Sequence, residues 1–329
     1  MLGHLLSIAM VIGSAMGLLG SSSAVAQNWP DRSVTMVVPF GAGSGVDVLG
    51  RVLAQPLSEI LGQQVVVENV AGAGGMTGTA LVARAAPDGY QFVLGNVGTH
   101  ALNPSLYPKP LYNVVSDFAP SVLIADTPQV LIARTDLPAN TLQEFAAYLR
   151  ANQAKMQYGS PGVGSAAHLG CVLLNAAVGA NVTHIPYRSG GAAMQDLIAG
   201  RLDYQCPLLA IAVSQIESKK VKALAILTRN RSAVLPGLAT AHEQGLSEFD
   251  VSAWNAFFFP KGTPQAIVQK LHDATVAALD SPAMQARLKQ IGAEPASPDR
   301  RSPDYLQRFV EIEVKKWAVV IKAAGVTAE

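Results

Sequence analysis

From Ser33 onward, short apolar runs of strand type alternate with longer segments in which apolar residues recur at helical spacing. Parallel strands need a long crossover, usually a helix, so this alternation favours an α/β fold of parallel sheets covered by helices. The predicted strands are 33–38, 64–68, 90–94, 129–133, 156–159, 182–186, 202–206 and 221–227. The predicted helices are 47–61, 165–178 and 192–199, with others beginning at 141, 263, 281 and 302.

Length and charge narrow the classes of protein. The chain has 329 residues, enough for two domains, and half of its residues are hydrophobic, which excludes wholesale disorder. Its 24 Lys and Arg residues balance 23 Asp and Glu residues, so no basic surface for nucleic acid is expected. Two cysteines cannot form a disulfide scaffold or a four-ligand zinc site, and no histidines have metal-ligand spacing. We therefore expect neither a metal nor a cofactor.

The first 26 residues resemble a cleaved signal peptide. Leu5 to Leu19 is an apolar run without charge, and Ala24-Val25-Ala26 forms a small-residue cleavage site. A membrane anchor is the alternative, but the run is shorter than the ~20 residues that span a bilayer. The start of the chain lacks the usual Lys or Arg. We expect export to an oxidising compartment, the periplasm.

Two strand-to-helix turns are rich in small residues. The first glycine loop, residues 39–46, leads into the helix predicted from Asp47, and the second glycine loop, residues 160–165, leads into the helix predicted from Ser165. A helix N-terminus attracts anions, because its first amides are unpaired and its dipole is positive there. With one loop in each domain, the two would face each other across a cleft.

Enzyme motifs fail at both loops. Val46 stands where a dinucleotide fingerprint needs its third glycine, and Arg51 stands where a P-loop needs Lys. No serine has the flanking glycines of a nucleophile elbow. We therefore expect a protein that is not an enzyme. An exported hydrolase that pairs Ser165 with His168 remains the alternative from a different class.

Motifs spread over the whole mature chain resemble the Bug-type receptors of tripartite tricarboxylate transporters, which are TctC-like periplasmic substrate-binding proteins. Their order and spacing carry the resemblance more than any single motif. They are Pro39 to Asp47, Val67 to Asn69, Gly72 to Gly75, Ala86 to Tyr90, Thr99 to Tyr107, Asp117 to Pro120, Gly162 to Ser165, His168-Leu169, His184 to Tyr187, Trp254, Gly262 to Pro264, Trp317 and Ala323 to Gly325.

The resemblance implies a two-domain periplasmic receptor that closes around a small carboxylate and passes it to a membrane permease. Each domain would be a mainly parallel sheet flanked by helices, with two crossing strands near 123–132 and 250–259 joining them. Domain 1 would hold residues 27–126 plus 252–329, and domain 2 residues 127–251. We expect a monomer, because a hinged clamp needs free domains. A receptor that reports the carboxylate to a sensor kinase would need the same closed state.

The resemblance also assigns ligand contacts to nine residues. Backbone amides of the first glycine loop would hold one carboxylate, the second glycine loop would contact the ligand from domain 2, and two residues after the third strand would complete the wall. Phe40 could instead belong to the core, and His100 could cap a helix. The nine residues are Phe40, Gly43, Ser44, Val46, Thr99, His100, Ser160, Ser165 and Ala166.

Three departures from the family pattern bear on the ligand. Ser44 adds a hydroxyl where a second glycine is frequent, and Ala167 removes a possible donor where a small hydroxyl residue is frequent. Pro207 stands where many members have Asp. Because an acidic group can bind a ligand amine, its absence favours a di- or tricarboxylate, or an aromatic acid, over an amino acid.

Cys171 and Cys206 both fall in the predicted second domain. Export permits a disulfide between them, but a free cysteine buried on a helix commonly serves as a small apolar residue. The sequence therefore favours two free thiols.

Overall fold

Two separate β-sheets organise the chain, which the computed structural model describes over residues 28–247 and 249–324. The predicted signal peptide, residues 1–26, lies outside the described residues. The strands are β1 (Val34–Val38), β2 (Val65–Asn69), β3 (Gln91–Asn96), β4 (Phe118–Pro128), β5 (Val130–Ala133), β6 (Gln157–Ser160), β7 (Thr183–Pro186), β8 (Tyr204–Gln205), β9 (Lys222–Ile226), β10 (Ser252–Pro260) and β11 (Glu294–Pro295).

Helices connect most of these strands. The α-helices are α1 (Gly45–Leu61), α2 (Met76–Ala83), α3 (Asn103–Leu106), α4 (Leu142–Asn152), α5 (Ala166–Val178), α6 (Gly190–Ile198), α7 (Leu209–Glu217), α8 (Gln265–Asp280), α9 (Pro282–Gln290) and α10 (Pro303–Ala324). Shorter helical turns lie at Ala73–Gly75, Gly98–Leu102 and Pro298–Arg300. The α/β architecture predicted from the alternation is confirmed.

The first sheet has six strands in the order β11-β4-β10-β3-β1-β2. Only β1 pairs in parallel, with β2 and β3, whereas β10 runs antiparallel to both β3 and β4. The second sheet has five strands in the order β7-β6-β8-β5-β9, with β6 parallel to both neighbours and β5 antiparallel to both of its own. We call each sheet with its helices a unit, first and second.

Both sheets are therefore mixed, with more antiparallel pairing than the sequence predicted. The cause lies in the strands that link the units. The chain leaves the first unit along β4 and returns along β10, so these two strands run in opposite directions.

The two passages between the units lie side by side. The outgoing passage is Gln129, and the returning chain re-enters the first sheet just after Val251. The Leu227 amide donates to the Gln129 carbonyl (2.8 Å), and the Leu227 carbonyl accepts from the Val251 amide (2.7 Å). Both passages fall inside the predicted crossing segments. The domain boundaries drawn from the resemblance stay a prediction of what folds as a unit.

Each unit has its own apolar core. In the first, Phe92 of β3 packs edge-on against Phe257 of β10, and both rings are fully buried. The second sheet is covered on both faces: Phe145 of α4 packs on one face, and Leu197 of α6 packs on the other. Burying such side chains stabilises the fold by about 1.5–3 kcal/mol each.

Cys171 and Cys206 form a disulfide with a Cα–Cα distance of 5.4 Å, so the preference for two free thiols is wrong. Cys171 lies on α5, and Cys206 directly follows β8 on the face of the sheet that α5 covers. The sequence did not show this contact because it depends on how α5 packs. The bond ties α5 to the end of β8.

Removing this disulfide should lower the free energy of unfolding by about 2–4 kcal/mol, because the bridge restricts the unfolded chain. We expect that loss in urea unfolding of the variant Cys171→Ala/Cys206→Ala. The control is reductant: it should destabilise the wild type to the same extent and leave the double variant unchanged. Equal stability of wild type and variant in oxidising buffer would contradict the prediction.

Candidate functional site

A cavity lies between the two units. Four strands of the two sheets, β1, β3, β6 and β8, end at it, and four helices, α1, α5, α6 and α7, begin at it. In α/β folds, ligands bind outside the carboxyl ends of the strands. The cavity is lined by Phe40, Ser44, Gly45, Val46, Asn96, Gly159, Ser160, Pro161, Ser165, Ala166, Ala167, Gly190, Gln205, Pro207, Leu208 and Ile211.

The first glycine loop presents unpaired amides to this cavity. Ser44 caps α1, because its Oγ accepts a hydrogen bond from the Asp47 amide (3.2 Å). The amides of Gly45 and Val46 donate to no described residue, and both residues line the cavity. These two N–H groups are therefore available to an anion.

Asp47 organises the loop from behind. Its Oδ2 accepts from the Gly43 amide (2.8 Å) and from Arg51 Nε (3.0 Å), and its Oδ1 accepts from Asn69 Nδ2 (2.9 Å). Burial opposes ionisation, but the hydrogen bonds from Arg51, Gly43 and Asn69 outweigh it and lower the pKa of the Asp47 carboxyl. The carboxylate thus shapes the loop without lining the cavity.

The amide of Gly43 already donates to Asp47, and the residue does not line the cavity. The first amide of this loop that lines the cavity and donates to no described residue is that of Gly45, the first residue of α1, and a ligand contact at Gly43 stays a prediction.

The second glycine loop repeats the construction. Ser165 Oγ accepts from the His168 amide (3.2 Å) and donates to the Gly162 carbonyl (2.7 Å). The amides of Ala166 and Ala167 donate to no described residue, and both residues line the cavity. Each capping serine therefore occupies one helix amide and leaves two unpaired.

A serine–histidine pair lies at the second loop, but it is not the predicted one. Ser165 meets His168 through the backbone amide, whereas Ser160 Oγ lies 2.7 Å from Nε2 of His184. Burial lowers the pKa of His184 to about 4. Among the described residues, no carboxylate contacts the ring of His184. The orienting group that nucleophilic catalysis needs is missing from this set.

Two further helix starts meet the cavity and escaped the sequence analysis. Ser189 caps α6 by accepting from the Ala192 amide (3.1 Å), and Gly190 lines the cavity. Helix α7 begins without a side-chain cap after Pro207 and Leu208, which also line it. The Ser189-Gly190-Gly191 run was the available signal, but the predicted helix began only at Ala192.

Two buried amide side chains, Asn96 and Gln205, also line the cavity and were missed. Each is the last residue of its strand, which is the position at which parallel strands present side chains to a ligand. Asn96 Oδ1 accepts from the Thr99 amide (3.1 Å), and its Nδ2 donates to no described residue. The predicted strands ended at Leu94 and Cys206, so no signal in the sequence marked either residue as a polar strand end.

Thr99 and His100, which the resemblance placed in the wall of the site, are not among the residues that line the cavity, and their contact with a ligand stays a prediction. Thr99 Oγ1 accepts from the Asn96 amide (3.0 Å) and thereby supports a residue that does line it. The His100 ring is fully buried and stacks on Phe258 with centroids 3.9 Å apart. Aromatic rings from β4 and β10 enclose this ring, and only the fold brings those strands to it.

The remaining six predicted residues, Phe40, Ser44, Val46, Ser160, Ser165 and Ala166, all line the cavity. Their contacts with a ligand stay a prediction. None of the described lining residues carries a charge. An anion in the cavity would therefore be held by backbone amides, hydroxyls and helix dipoles.

Glycines let the two units touch around the cavity. A Cβ on Gly41 would lie 2.7 Å from the Arg188 carbonyl oxygen, and a Cβ on Gly98 would lie 3.0 Å from that of Gly164. Tyr107 Oη also donates to the Val163 carbonyl across the gap (3.1 Å). The structure is thus a form in which the units are closed over the cavity.

Comparison with known proteins identifies the family. Residues 49–326 match the model described as the tripartite tricarboxylate transporter family receptor. The chain belongs to this receptor family. Its members are periplasmic solute-binding proteins and not enzymes, so the expectation of a non-enzymatic protein and the resemblance found in the sequence are both confirmed.

Solved structures of similar proteins share the two-unit fold. The chain is 41% identical to the periplasmic binding protein BugD, with a TM-score of 0.88. The match covers 92% of this chain and 100% of BugD. It is 38% identical to MatC from Rhodopseudomonas palustris, solved with bound malate (TM-score 0.86, 89% and 100% covered). It is 34% identical to Rpa4515 of R. palustris, solved with adipate (TM-score 0.87, 91% and 99% covered).

The receptor shows no sign of a membrane span in its described part. Within residues 28–247 and 249–324, no helix combines the length and the apolar composition needed to cross a bilayer.

The buried histidines predict a loss of stability in mild acid. Burial lowers the pKa of His100 to about 3, whereas an unfolded histidine takes up its proton near pH 6.5. The neutral His100 therefore contributes fully above about pH 6.5, and its contribution falls by up to about 1.4 kcal/mol per pH unit below that.

Between about pH 6.5 and 4.5, we expect the free energy of unfolding of the variant His100→Gln to fall less steeply than that of the wild type. The slopes should differ by up to about 1.4 kcal/mol per pH unit, because the variant lacks the proton that unfolded His100 takes up. Urea unfolding at several pH values measures this. Between pH 7 and 8 the two proteins should have parallel profiles, which serves as the control. Equal slopes in the acid range would contradict the prediction.

Proposed function

We propose that this receptor captures a small carboxylate in the periplasm, between its two units, and delivers it to the membrane permease of a tripartite transporter. The observation that carries the proposal is the meeting of four helix N-termini at one cavity whose described lining residues carry no charge. A carboxylate can accept several hydrogen bonds there at once. Each such bond to an ionised group contributes roughly 1.5–3 kcal/mol.

The two glycine loops supply the main donors. Gly45 and Val46 belong to the first unit, whereas Ala166 and Ala167 belong to the second, so one carboxylate can accept from both. Nδ2 of Asn96 adds a side-chain donor. Because these donors come from both units, the bound anion favours the closed arrangement, and its binding shifts the population toward that form.

The lining also disfavours a ligand that carries an ammonium group. Pro207 occupies the cavity wall where an acidic residue would bind an amine, and no other described lining residue supplies a carboxylate. An ammonium group buried without a partner would be strongly destabilised. The bound malate of MatC and the adipate of Rpa4515 are acids without an amine, which supports the same class here.

Delivery to a permease, the periplasmic location and a monomeric state complete the proposal. The family match supports the permease as partner, since the matching model describes receptors of a transporter. The predicted signal peptide supports export. Closure brings residues of both units onto one surface, which is the state that a partner in the membrane can distinguish from the open form.

Small carboxylates should stabilise the receptor. Thermal unfolding of refolded residues 27–329 should shift upward by several degrees with a di- or tricarboxylate, because a ligand at 1,000 times its Kd stabilises by about 4 kcal/mol. The panel is succinate, malate, adipate, citrate, benzoate and glutamate, with succinamide as the uncharged control. No shift with any acid would contradict carboxylate capture. A larger shift with glutamate than with succinate would contradict the exclusion of amines.

A larger side chain at Gly41 should oppose closure of the two units. Gly41→Ala should weaken binding of the best acid about tenfold, because the new methyl group collides with the Arg188 carbonyl only when the units close. Gly237→Ala is the matched control, since a Cβ there meets no atom within 4 Å. Isothermal titration measures the affinity, and urea unfolding should show both variants as stable as the wild type. Unchanged affinity in Gly41→Ala would contradict the closure model.

A further inference from the structure

One buried side chain in the cavity lacks a hydrogen-bond partner. Gln205 is 2% exposed and ends β8, and its Nε2 makes no hydrogen bond. Its Oε1 also bonds to no described residue. Buried amides are almost always paired in native structures, so an unpaired one that lines a cavity indicates a ligand partner.

The strand determines why this side chain faces the cavity. Tyr204 and Cys206, its neighbours, both point to the opposite face of the sheet, where Tyr204 Oη donates to Asn175 and Cys206 bonds to Cys171 on α5. Alternation along the strand therefore directs Gln205 toward the α6 and α7 side. Its Nε2 would lie 3.4 Å from a Cβ on Gly159, and this glycine, having none, also lines the cavity.

Two other buried amides near the cavity each make a hydrogen bond that sets the orientation of the side chain, although Gln129 Oε1 has no partner among the described residues. Asn96 Oδ1 accepts from the Thr99 amide, which fixes the orientation of that side chain. Gln129 Nε2 donates to the Ala166 carbonyl (3.0 Å). Gln205 has neither constraint, so a ligand alone can set the orientation of its carboxamide.

We propose that Gln205 recognises a second carboxylate of the solute, which makes the receptor selective for dicarboxylates over monocarboxylates. This inference rests on the proposed function, in which the helix starts hold the first carboxylate. The Gln205 Nε2–H donates to an oxygen of the second. Its neighbours in the wall, Pro207, Leu208 and Ile211, offer no side-chain donor, so the Gln205 carboxamide is the side-chain donor on this part of the wall.

The test compares acids that differ only in the second carboxylate. Isothermal titration with succinate against butyrate, and adipate against hexanoate, gives the selectivity at two chain lengths. The wild type should prefer the diacid of at least one pair. Gln205→Met, which keeps the length and removes the donor, should weaken binding of that diacid about tenfold or more while changing its monoacid less than about twofold.

A second variant and a control keep the test decisive. Gln205→Glu keeps the shape, replaces the Nε2 donor by an acceptor and adds a negative charge, so it should weaken the doubly charged diacid more than the singly charged monoacid. If Gln205→Met does not fold, Gln205→Glu carries the comparison. Gln290→Met changes an exposed glutamine on α9 and should leave both affinities unchanged.

The outcomes separate the two proposals. Binding of no acid by the wild type overturns carboxylate capture and the role of Gln205 with it. Equal binding of diacid and monoacid, or equal losses for both in the Gln205 variants, overturns the inference and leaves carboxylate capture standing. Selective loss of the diacid supports the inference.

Discussion

Unpaired backbone amides at helix starts are the constraint on which this cavity depends. A helix leaves its first amides without partners, and a buried donor without a partner is costly. Ser44, Ser165 and Ser189 each take up one amide of their helix. The amides between each cap and its bonded residue donate to no described residue, and five of these six amides belong to residues that line the cavity. The fold thus gathers, at the junction of its two units, backbone amides that need a hydrogen-bond acceptor.

The rest of the site keeps this arrangement rigid and electrically neutral. Asp47 brings a negative charge close to a loop proposed to hold anions, but Arg51 neutralises it, and Gly43 and Asn69 donate to its oxygens. The second loop is fixed by the hydrogen bonds of Ser165 and by the disulfide that anchors α5. Donors held in place by such supports lose little freedom when a ligand arrives.

The sequence predicted the parts of the site that depend on local pattern. A strand, a run of small residues and a capping serine lie close together in the chain, so both glycine loops were found. Asn96 and Gln205 were missed because a single polar residue at the end of a strand has no pattern of its own. The packing of His100 was not predicted, because Phe258, more than a hundred residues away, determines where its ring lies. Long-range packing likewise decided the pairing of the cysteines and the mixed sheets.

The hydrogen bonds between Leu227 and the two passages have a consequence for motion of one unit relative to the other. Its amide donates to the Gln129 carbonyl and its carbonyl accepts from the Val251 amide, so the two passages are hydrogen-bonded to the same residue. A change of torsion in one link must be accompanied by a change in the other, or these bonds break. We therefore expect opening to occur about a common axis near Leu227, because twisting of one unit past the other would break these bonds. A receptor that opens about a single axis brings its two glycine loops back to the same relative position each time it closes.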